Sequence, residues 1–481
     1  MFLLIRLENK ASGSVPNIVL ILADDLGYAE LGCYGQKKIK TPHLDRLAAQ
    51  GMRFTQFYTG APVCAPARCV LLTGKHSGHA YIRNNGEVKP EGQRPIPTEE
   101  LTIAELLKQK NFATAAVGKW GLGMVGTTGD PNRQGFDLFF GYNCQRHAHS
   151  YYPSYLWHND KRIELDNKPP VPGHARIAKG ADPTNPASYA RFKGKDYAPD
   201  RMINMALRFV RQNKSRPFFL YYPTLIPHLA LHVPDEDLKP YLGKWDETPF
   251  TGGGYTPHRT PRAAYAALIS RMDTNVGRIL ALLDELKLAD NTLVIFTSDN
   301  GTTHLHKEAD DKFFDSVGPL RGLKGRVYEG GIRVPMIARW PGHIKPGTTS
   351  KQISAAWDLL PTICRAAGIK PPVGTDGISL LPTLTGKGEQ RDHEYLYWEF
   401  PGYGGQQALR QGKWKAVCAN MAKGNRKLAL FDLDKDFGEQ NDLAANHPDV
   451  VKRLSKLMKS ARTPSQVERW NRYLKQRPKS R

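Results

Sequence analysis

The sequence predicts an α/β fold: a large, mostly parallel but mixed sheet sandwiched by helices, followed by a smaller C-terminal α+β domain. Three segments carry that expectation. Residues 17–23 (Asn-Ile-Val-Leu-Ile-Leu-Ala) and 292–297 (Thr-Leu-Val-Ile-Phe-Thr) are unbroken apolar runs. Strands without polar alternation are those buried on both faces, as in parallel sheets. Between them, residues 265–286 place Ile269, Met272, Val276, Ile279, Leu280 and Leu283 at helical spacing, the pattern of a helix laid on a sheet.

The remaining elements follow in order. Residues 41–50 predict a helix, with Leu44, Leu47 and Ala48 on one face and Pro42 suited to its first turn. Shorter apolar strands are expected at 113–117, 218–222 and 334–338. Proline and glycine cluster at 369–374 and 380–386, and beyond them 395–398, 406–410 and 414–418 resemble antiparallel strands. Residues 450–459 predict a helix with Val451, Leu454 and Met458 inward. The expected division is therefore 15–385 for the catalytic-size domain and 386–481 for the smaller one, a split in keeping with 481 residues.

Composition narrows the class. With 40% hydrophobic residues the chain is not wholly disordered, and no apolar run approaches the roughly 20 residues of a membrane-spanning helix. The apolar run Met1–Ile5 is stopped by Arg6, short of a signal peptide's core, so cytoplasmic, periplasmic and extracellular locations all stay open at this point. Six cysteines without a Cys-x-x-Cys pair are neither a disulfide scaffold nor a zinc site. The formal charge of +22 calls for a polyanionic partner. About nine units of it lie in 449–481, where 11 Lys/Arg face 2 acids, and that stretch reads as a solvated helix and chain end.

The chemistry-bearing residues stand at strand ends. Asp24-Asp25 and Asp299-Asn300 each follow one of the long buried strands, and in parallel sheets sites form at carboxyl ends. Three carboxylates and an amide make a hard, all-oxygen set suited to Ca²⁺ or Mg²⁺. Either pair alone would be an ordinary turn. The segment Val63-Cys-Ala-Pro-Ala-Arg68 places Cys64 at the start of a helix, with Arg68 one turn on. Residue chemistry alone suggests an activated thiolate there.

Cys64-x-Pro-x-Arg68 followed by Thr73-Gly74, after an Asp-Asp strand and before an Asp-Asn-Gly strand, resembles the type I, formylglycine-dependent sulfatases of the alkaline phosphatase superfamily. The resemblance runs from about Pro16 into the C-terminal domain. It implies an alkaline phosphatase-like fold and conversion of Cys64 to Cα-formylglycine by a formylglycine-generating or radical maturation enzyme. It further implies a divalent cation, usually Ca²⁺, held by Asp24, Asp25, Asp299, Asn300 and the modified Cys64. The hydrated aldehyde would attack sulfur with one hydroxyl and expel sulfate through the other, with Arg68 holding the modified residue. Val117-Gly-Lys-Trp-Gly-Leu-Gly123 resembles the family's Gly-Lys-Trp-His-Leu-Gly, which puts Lys119 at the sulfate, and the segment 320–331 puts Lys324 there too. Pro227-His228 after the strand at 218–222 matches the residue that protonates the leaving alcohol.

One position departs from the pattern: Gly121 stands where the family has His, the residue credited with deprotonating the diol. His147, His149 and His304 are the alternatives. The Ala-His-x-Tyr-Tyr-Pro context favours His149, packing is the expected role of His147, and His304 joins Lys119 and Lys324 as a substrate-binding candidate. Most of Tyr151, Tyr152, Tyr155, Trp157, Trp398, Phe400 and Tyr403 are expected to pack rather than bind, while the segment 402–407 resembles a loop laid over the pocket.

The resulting expectation is a sulfate-ester hydrolase acting on a sulfated carbohydrate of galactose or hexosamine type, in the periplasm or outside the cell. A phosphodiester or phosphonate monoester hydrolase of the same superfamily is the enzymatic rival. A lapsed enzyme that only binds sulfated glycan is the non-enzymatic one. A nucleic-acid partner is not expected, since charge alone points to it.

Overall fold

A computed structural model describes residues 15–475. The N-terminal apolar run and the last six residues of the basic tail lie outside that range.

The first fifty-four residues contribute strand β1 (Asn17–Ala23), helix α1 (Pro42–Ala49) and strand β2 (Met52–Phe54). Helix α2 (Cys64–Thr73) and strands β3 (Ala113–Lys119), β4 (Leu138–Tyr142), β5 (Tyr155–His158) and β6 (Lys161–Glu164) follow. Then come helix α3 (Ala198–Gln212), strand β7 (Phe218–Pro223), helix α4 (Pro261–Glu285) and strands β8 (Thr292–Ser298), β9 (Met336–Arg339) and β10 (Thr348–Ser350). They form one ten-stranded sheet in the order β10-β2-β9-β8-β1-β7-β3-β4-β5-β6.

The five central strands, β8-β1-β7-β3-β4, are parallel to one another. β1 lies in the middle, in register Ala23 with Ser298 and Ile21 with Tyr222. Its side chains alternate between two cores: Ile18, Leu20 and Leu22 enter one, Val19, Ile21 and Ala23 the other. That is the period of two expected of a strand covered on both faces. α4 and α3 cover the second face. Asp273 of α4 accepts the backbone N–H groups of His43 (3.1 Å) and Leu44 (2.7 Å), satisfying the free first turn of α1.

Each predicted strand and helix has its counterpart, whereas helix α3 and strand β4 lie where none is expected, and two corrections are needed. The strand expected at 334–338 begins at Met336 and runs antiparallel to both β8 and β2. Pro335, which has no N–H to give a ladder, sets its start. The hairpin β5–β6 at the sheet edge carries no apolar run, and all four residues of β6 are exposed, so it leaves little mark in the pattern.

The C-terminal region forms a four-stranded antiparallel sheet of β11 (Leu396–Phe400), β12 (Gln406–Gln411), β13 (Trp414–Cys418) and β14 (Ala429–Asp432). Helix α5 (Pro448–Ser460) packs on one face. The other face, with Trp398, Phe400, Ala408 and Val417, joins the main core. In α5 the inward residues are Val450, Leu454 and Met458, while Val451 is only half-buried. A narrow three-residue stripe suffices because the small sheet is already covered on its other side.

The turn after α2 is tied to the connection before the small sheet. Asp376 accepts the backbone N–H of His76 (2.9 Å) and pairs with His79 Nδ1 (2.9 Å). His76 Nδ1 accepts the Gly78 N–H at 3.1 Å, so its ring proton sits on Nε2, facing Asp376. This His-His-Asp group is thus a self-satisfied pin that fixes the C-terminal end of α2. No helix among the described residues is long and apolar enough to cross a membrane.

Candidate active site

Four strand ends and one helix start converge. Asp24 and Asp25 follow β1, Asp299 and Asn300 follow β8, Lys119 closes β3, and His228 lies five residues past β7. Because these strands are adjacent and parallel, their carboxyl ends open on one side of the sheet. Backbone bonds lock the ends together: Asp299 N–H donates to Ala23 O (3.0 Å) and Asp24 N–H to Ile226 O (3.2 Å). Asp25 takes a left-handed φ of 65°, and its N–H donates to Asp299 Oδ1 (3.1 Å).

Cys64 is the first residue of α2, after an extended Val63. The Gly325 N–H donates to Pro62 O at 2.8 Å and brings Lys324 alongside. The Cys64 sulfur therefore lies 3.7 Å from Lys119 Nζ and 3.6 Å from Lys324 Nζ. Lys119 also pairs with Asp24 (2.6 Å) and Lys324 with both oxygens of Asp25 (2.7 Å each). His228 Nε2 stands 3.6 Å from Asp25 Oδ2. Asn300 Nδ2 donates to Asp25 Oδ1 at 2.7 Å.

Arg68 does not turn toward the thiol. Its guanidinium, fully buried, grips Asp299 (2.7 Å), approaches Asp24 (3.5 Å) and donates to Lys119 O (2.5 Å). It joins α2 to both β8 and β3. The thiolate reading of Cys64 is also overturned: burial pushes the thiol up to about 12, against the pull of Lys119 and Lys324. A helix start and two cations do not compensate for taking the sulfur out of water.

Three buried carboxylates face two buried cations, Arg68 and Lys119, and the partly buried Lys324. Burial opposes the charge on Asp24, but Lys119, His228 and Arg68 hold its carboxyl far below the usual range. Asp299 is pushed upward, first by burial and then by Asp24. Burial, then neighbouring cations, also keeps His149 and His228 well below the ordinary histidine value. Within this group Asp24 Oδ1 and Asn300 Oδ1 are buried with no hydrogen-bond partner. Two unsatisfied acceptor oxygens beside clustered carboxylates fit a hard dication, which takes oxygen donors and repays their desolvation. The Asp24, Asp25, Cys64 and His228 donor atoms lie within 4.8 Å of one another.

All the residues expected at the strand ends thus meet. His149 stacks face to face on His228, with centroids 4.8 Å apart. His147 turns away, with Nδ1 3.5 Å from Glu91 and its ring against Tyr155, in keeping with a packing role. His304 is exposed, its ring 5.8 Å from Tyr403. Tyr151, Tyr152, Trp398 and Phe400 are buried. Tyr155 and Trp157 are half-buried and bonded to Glu91, whereas Tyr403 is 51% exposed, and its ring lies on the backbone of Gly325, beside Lys324.

The departure at Gly121 has a structural counterpart. Gly121 has φ +88°, and a Cβ there would stand 1.9 Å from Gln145 Nε2. The Gln145 amide occupies the side-chain space of position 121, buried, with neither of its polar atoms bonded. Gln145 stands two residues before His147 in the sequence, and its residue type alone does not mark this role. His174 and Tyr255, which pack around His149, left no sequence signal.

A family model described as Sulfatase matches residues 16–369, and one described as N-sulphoglucosamine sulphohydrolase, C-terminal, matches 323–464. Human arylsulfatase A is 35% identical, with 92% of this chain and 87% of that protein covered. N-acetylgalactosamine-6-O-sulfatase of Bacteroides thetaiotaomicron is 32% identical, with 95% of each covered. Among solved structures, Ps i-CgsB in complex with k-i-k-neocarrahexaose superposes with a TM-score of 0.75 at 28% identity, over 94% of each chain.

Proposed function

The chain belongs to the sulfatase family, and from that premise we propose that it hydrolyses the sulfate ester of a galactose- or hexosamine-type sugar through a formylglycine made from Cys64. The observation that carries this reading is the position of Cys64, with its sulfur 3.7 Å from Lys119 and 3.6 Å from Lys324, above three carboxylates. Two ammonium groups flanking the reacting atom suit an anionic group whose charge grows during transfer.

A formylglycine, installed by a separate maturation enzyme, would supply a hydrated aldehyde in place of a thiol that burial keeps protonated. Ca²⁺, or Mg²⁺, held by Asp24, Asp25, Asp299, Asn300 and the modified Cys64, would supply Lewis-acid charge that lowers the pKa of a bound hydroxyl. The chain's own residues do the rest. Lys119 and Lys324 bind sulfate oxygens, and Arg68 holds Asp299 and the start of α2 in place. His228 donates its Nδ1–H to Leu229 O, so the proton for the leaving alcohol is carried on Nε2. Burial, then Lys324 and Lys119, opposes that proton, and a sulfate group between the lysines offsets their share of the opposition. His149, stacked on His228, takes the base role of the residue missing at Gly121.

The relative of Bacteroides thetaiotaomicron and the complex with neocarrahexaose support a carbohydrate substrate, as does the charge of +22. Sulfated polysaccharide is met outside the cytoplasm, so we place the activity in the periplasm or outside the cell. We treat 15–385 as the catalytic unit and 386–481 as the unit that lends it Tyr403. The test is turnover by the matured protein on matched aryl sulfate, phosphate and phosphonate esters, then on defined sulfated saccharides. Faster sulfate release is expected. Faster phosphoryl transfer, or glycan binding with no turnover, overturns the proposal in favour of one of its rivals.

Tyr403→Ala is expected to raise KM on a sulfated oligosaccharide about 3- to 10-fold, the value of roughly 1 kcal/mol of ring stacking. The kcat should hold, and kinetics on a small aryl sulfate should not move. Equal effects on both substrates would remove Tyr403 from sugar recognition.

A further inference from the structure

Two surface loops meet over His149. The N–H of Thr256 donates to Gly173 O (3.1 Å) and that of Ile177 to Thr251 O (3.1 Å). The pair brings exposed His174 against His149: His149 Nδ1 and His174 Nε2 are 2.8 Å apart. The approach is close enough that a Cβ on Gly173 would stand 2.7 Å from His149 O. Tyr255 covers both rings, stacked on His174 at 4.8 Å and edge-on to His149 at 5.1 Å.

The direction of the chain of bonds follows from its outer end. His174 Nδ1 bonds the carbonyl oxygen of Gly254, and a carbonyl only accepts, so that nitrogen carries the proton. In a neutral ring the other nitrogen then has a lone pair. His174 Nε2 therefore accepts, and His149 Nδ1 donates. His149 is left with its lone pair on Nε2, the nitrogen not engaged by the loop.

We propose that His174 is a positioning residue: anchored on Gly254 O, it fixes the tautomer and ring plane of His149, so that His149 presents Nε2 as the base. This rests on the base role assigned to His149 above. It places the orienting partner of the base on an exposed loop rather than in the buried carboxylate cluster, the arrangement by which an outer hydrogen bond sets which histidine nitrogen is reactive.

The experiment uses the matured full chain and a chromogenic aryl sulfate. His174→Ala and His174→Leu are each expected to lower kcat about 10- to 100-fold, with KM and inhibition by inorganic sulfate nearly unchanged. His174→Gln, whose Oε1 can accept the same bond, should recover most of the rate. The Leu variant fills the volume under Tyr255 without an acceptor and so separates packing from hydrogen bonding. If Leu is as active as Gln, or if KM rises instead of kcat falling, the proposal is overturned. His149→Ala, measured alongside, tells the two failures apart. Full activity in that variant removes the base assignment itself, whereas a slow His149→Ala beside a fast His174→Leu removes only the positioning role.

Discussion

Cys64→Ala is expected to eliminate turnover, by on the order of 10⁴-fold or more, without loss of the fold. Cys64 is 3% exposed at the first turn of α2, and its thiol donates no hydrogen bond that the fold depends on. Ala at this position removes one sulfur atom from a polar pocket, so the thermal midpoint should stay within a few degrees. The catalytic loss is large because the proposed nucleophile is made from this residue, while the carboxylates nearest the two lysines, Asp24 and Asp25, are ion-paired to them. An unmodified thiol is a poor one, since burial raises it to about 12. Peptide mass analysis of active protein should accordingly find Cys64 converted, about 18 Da lighter than cysteine. Active protein with an unmodified Cys64, or an active Ala variant, would sink the mechanism.

The fold and the site were legible to different depths, for physical reasons. β1 and β8 could be read because burial on both faces leaves no polar alternation, and the acids that end them stand out against such runs. The sheet edge could not: apart from Leu156, β5 and β6 are exposed or half-exposed and carry no pattern tied to burial. The strand ends meet because β8, β1, β7 and β3 are neighbours, and only strand order, not spacing along the chain, decides that. The sequence places Arg68 one helical turn from Cys64, since i to i+4 proximity is local, while its ion-pair partner Asp299 lies 231 residues away. Gln145 and His174 were invisible for a related reason. One fills a space defined by the missing side chain of Gly121, the other reaches His149 through a loop pairing between residues 173–177 and 251–256. Of the charge of +22, Arg68, Lys119 and Lys324 are spent against Asp24, Asp25 and Asp299, so the surplus lies elsewhere and serves attraction at a distance.

Asp299→Ala is expected to lose activity by about 10³-fold or more and to lose metal retention, and to unfold more readily by roughly 3–5 kcal/mol. The stability loss is argued from Arg68. Both partners are fully buried, with the guanidinium 2.7 Å from Asp299 Oδ2. Removing the carboxylate leaves a buried cation with Asp24 at 3.5 Å and a backbone carbonyl as its remaining partners. Asp299→Asn separates the two effects. It keeps one acceptor oxygen, enough for Arg68 or for the Asp25 N–H but not for both, and removes a formal charge from the site, so it should fold better than Ala while still retaining little metal. Elemental analysis after dialysis and thermal unfolding with and without chelator provide the readout. A chelator should lower the midpoint of the native sequence, because a ligand that binds only the folded state stabilises it by about 2.7 kcal/mol at 100 times its Kd. It should leave Asp299→Asn nearly unmoved. A native-sequence midpoint indifferent to chelator, with full metal content in the Asn variant, would mean that the unpartnered oxygens of Asp24 and Asn300 serve something other than a cation.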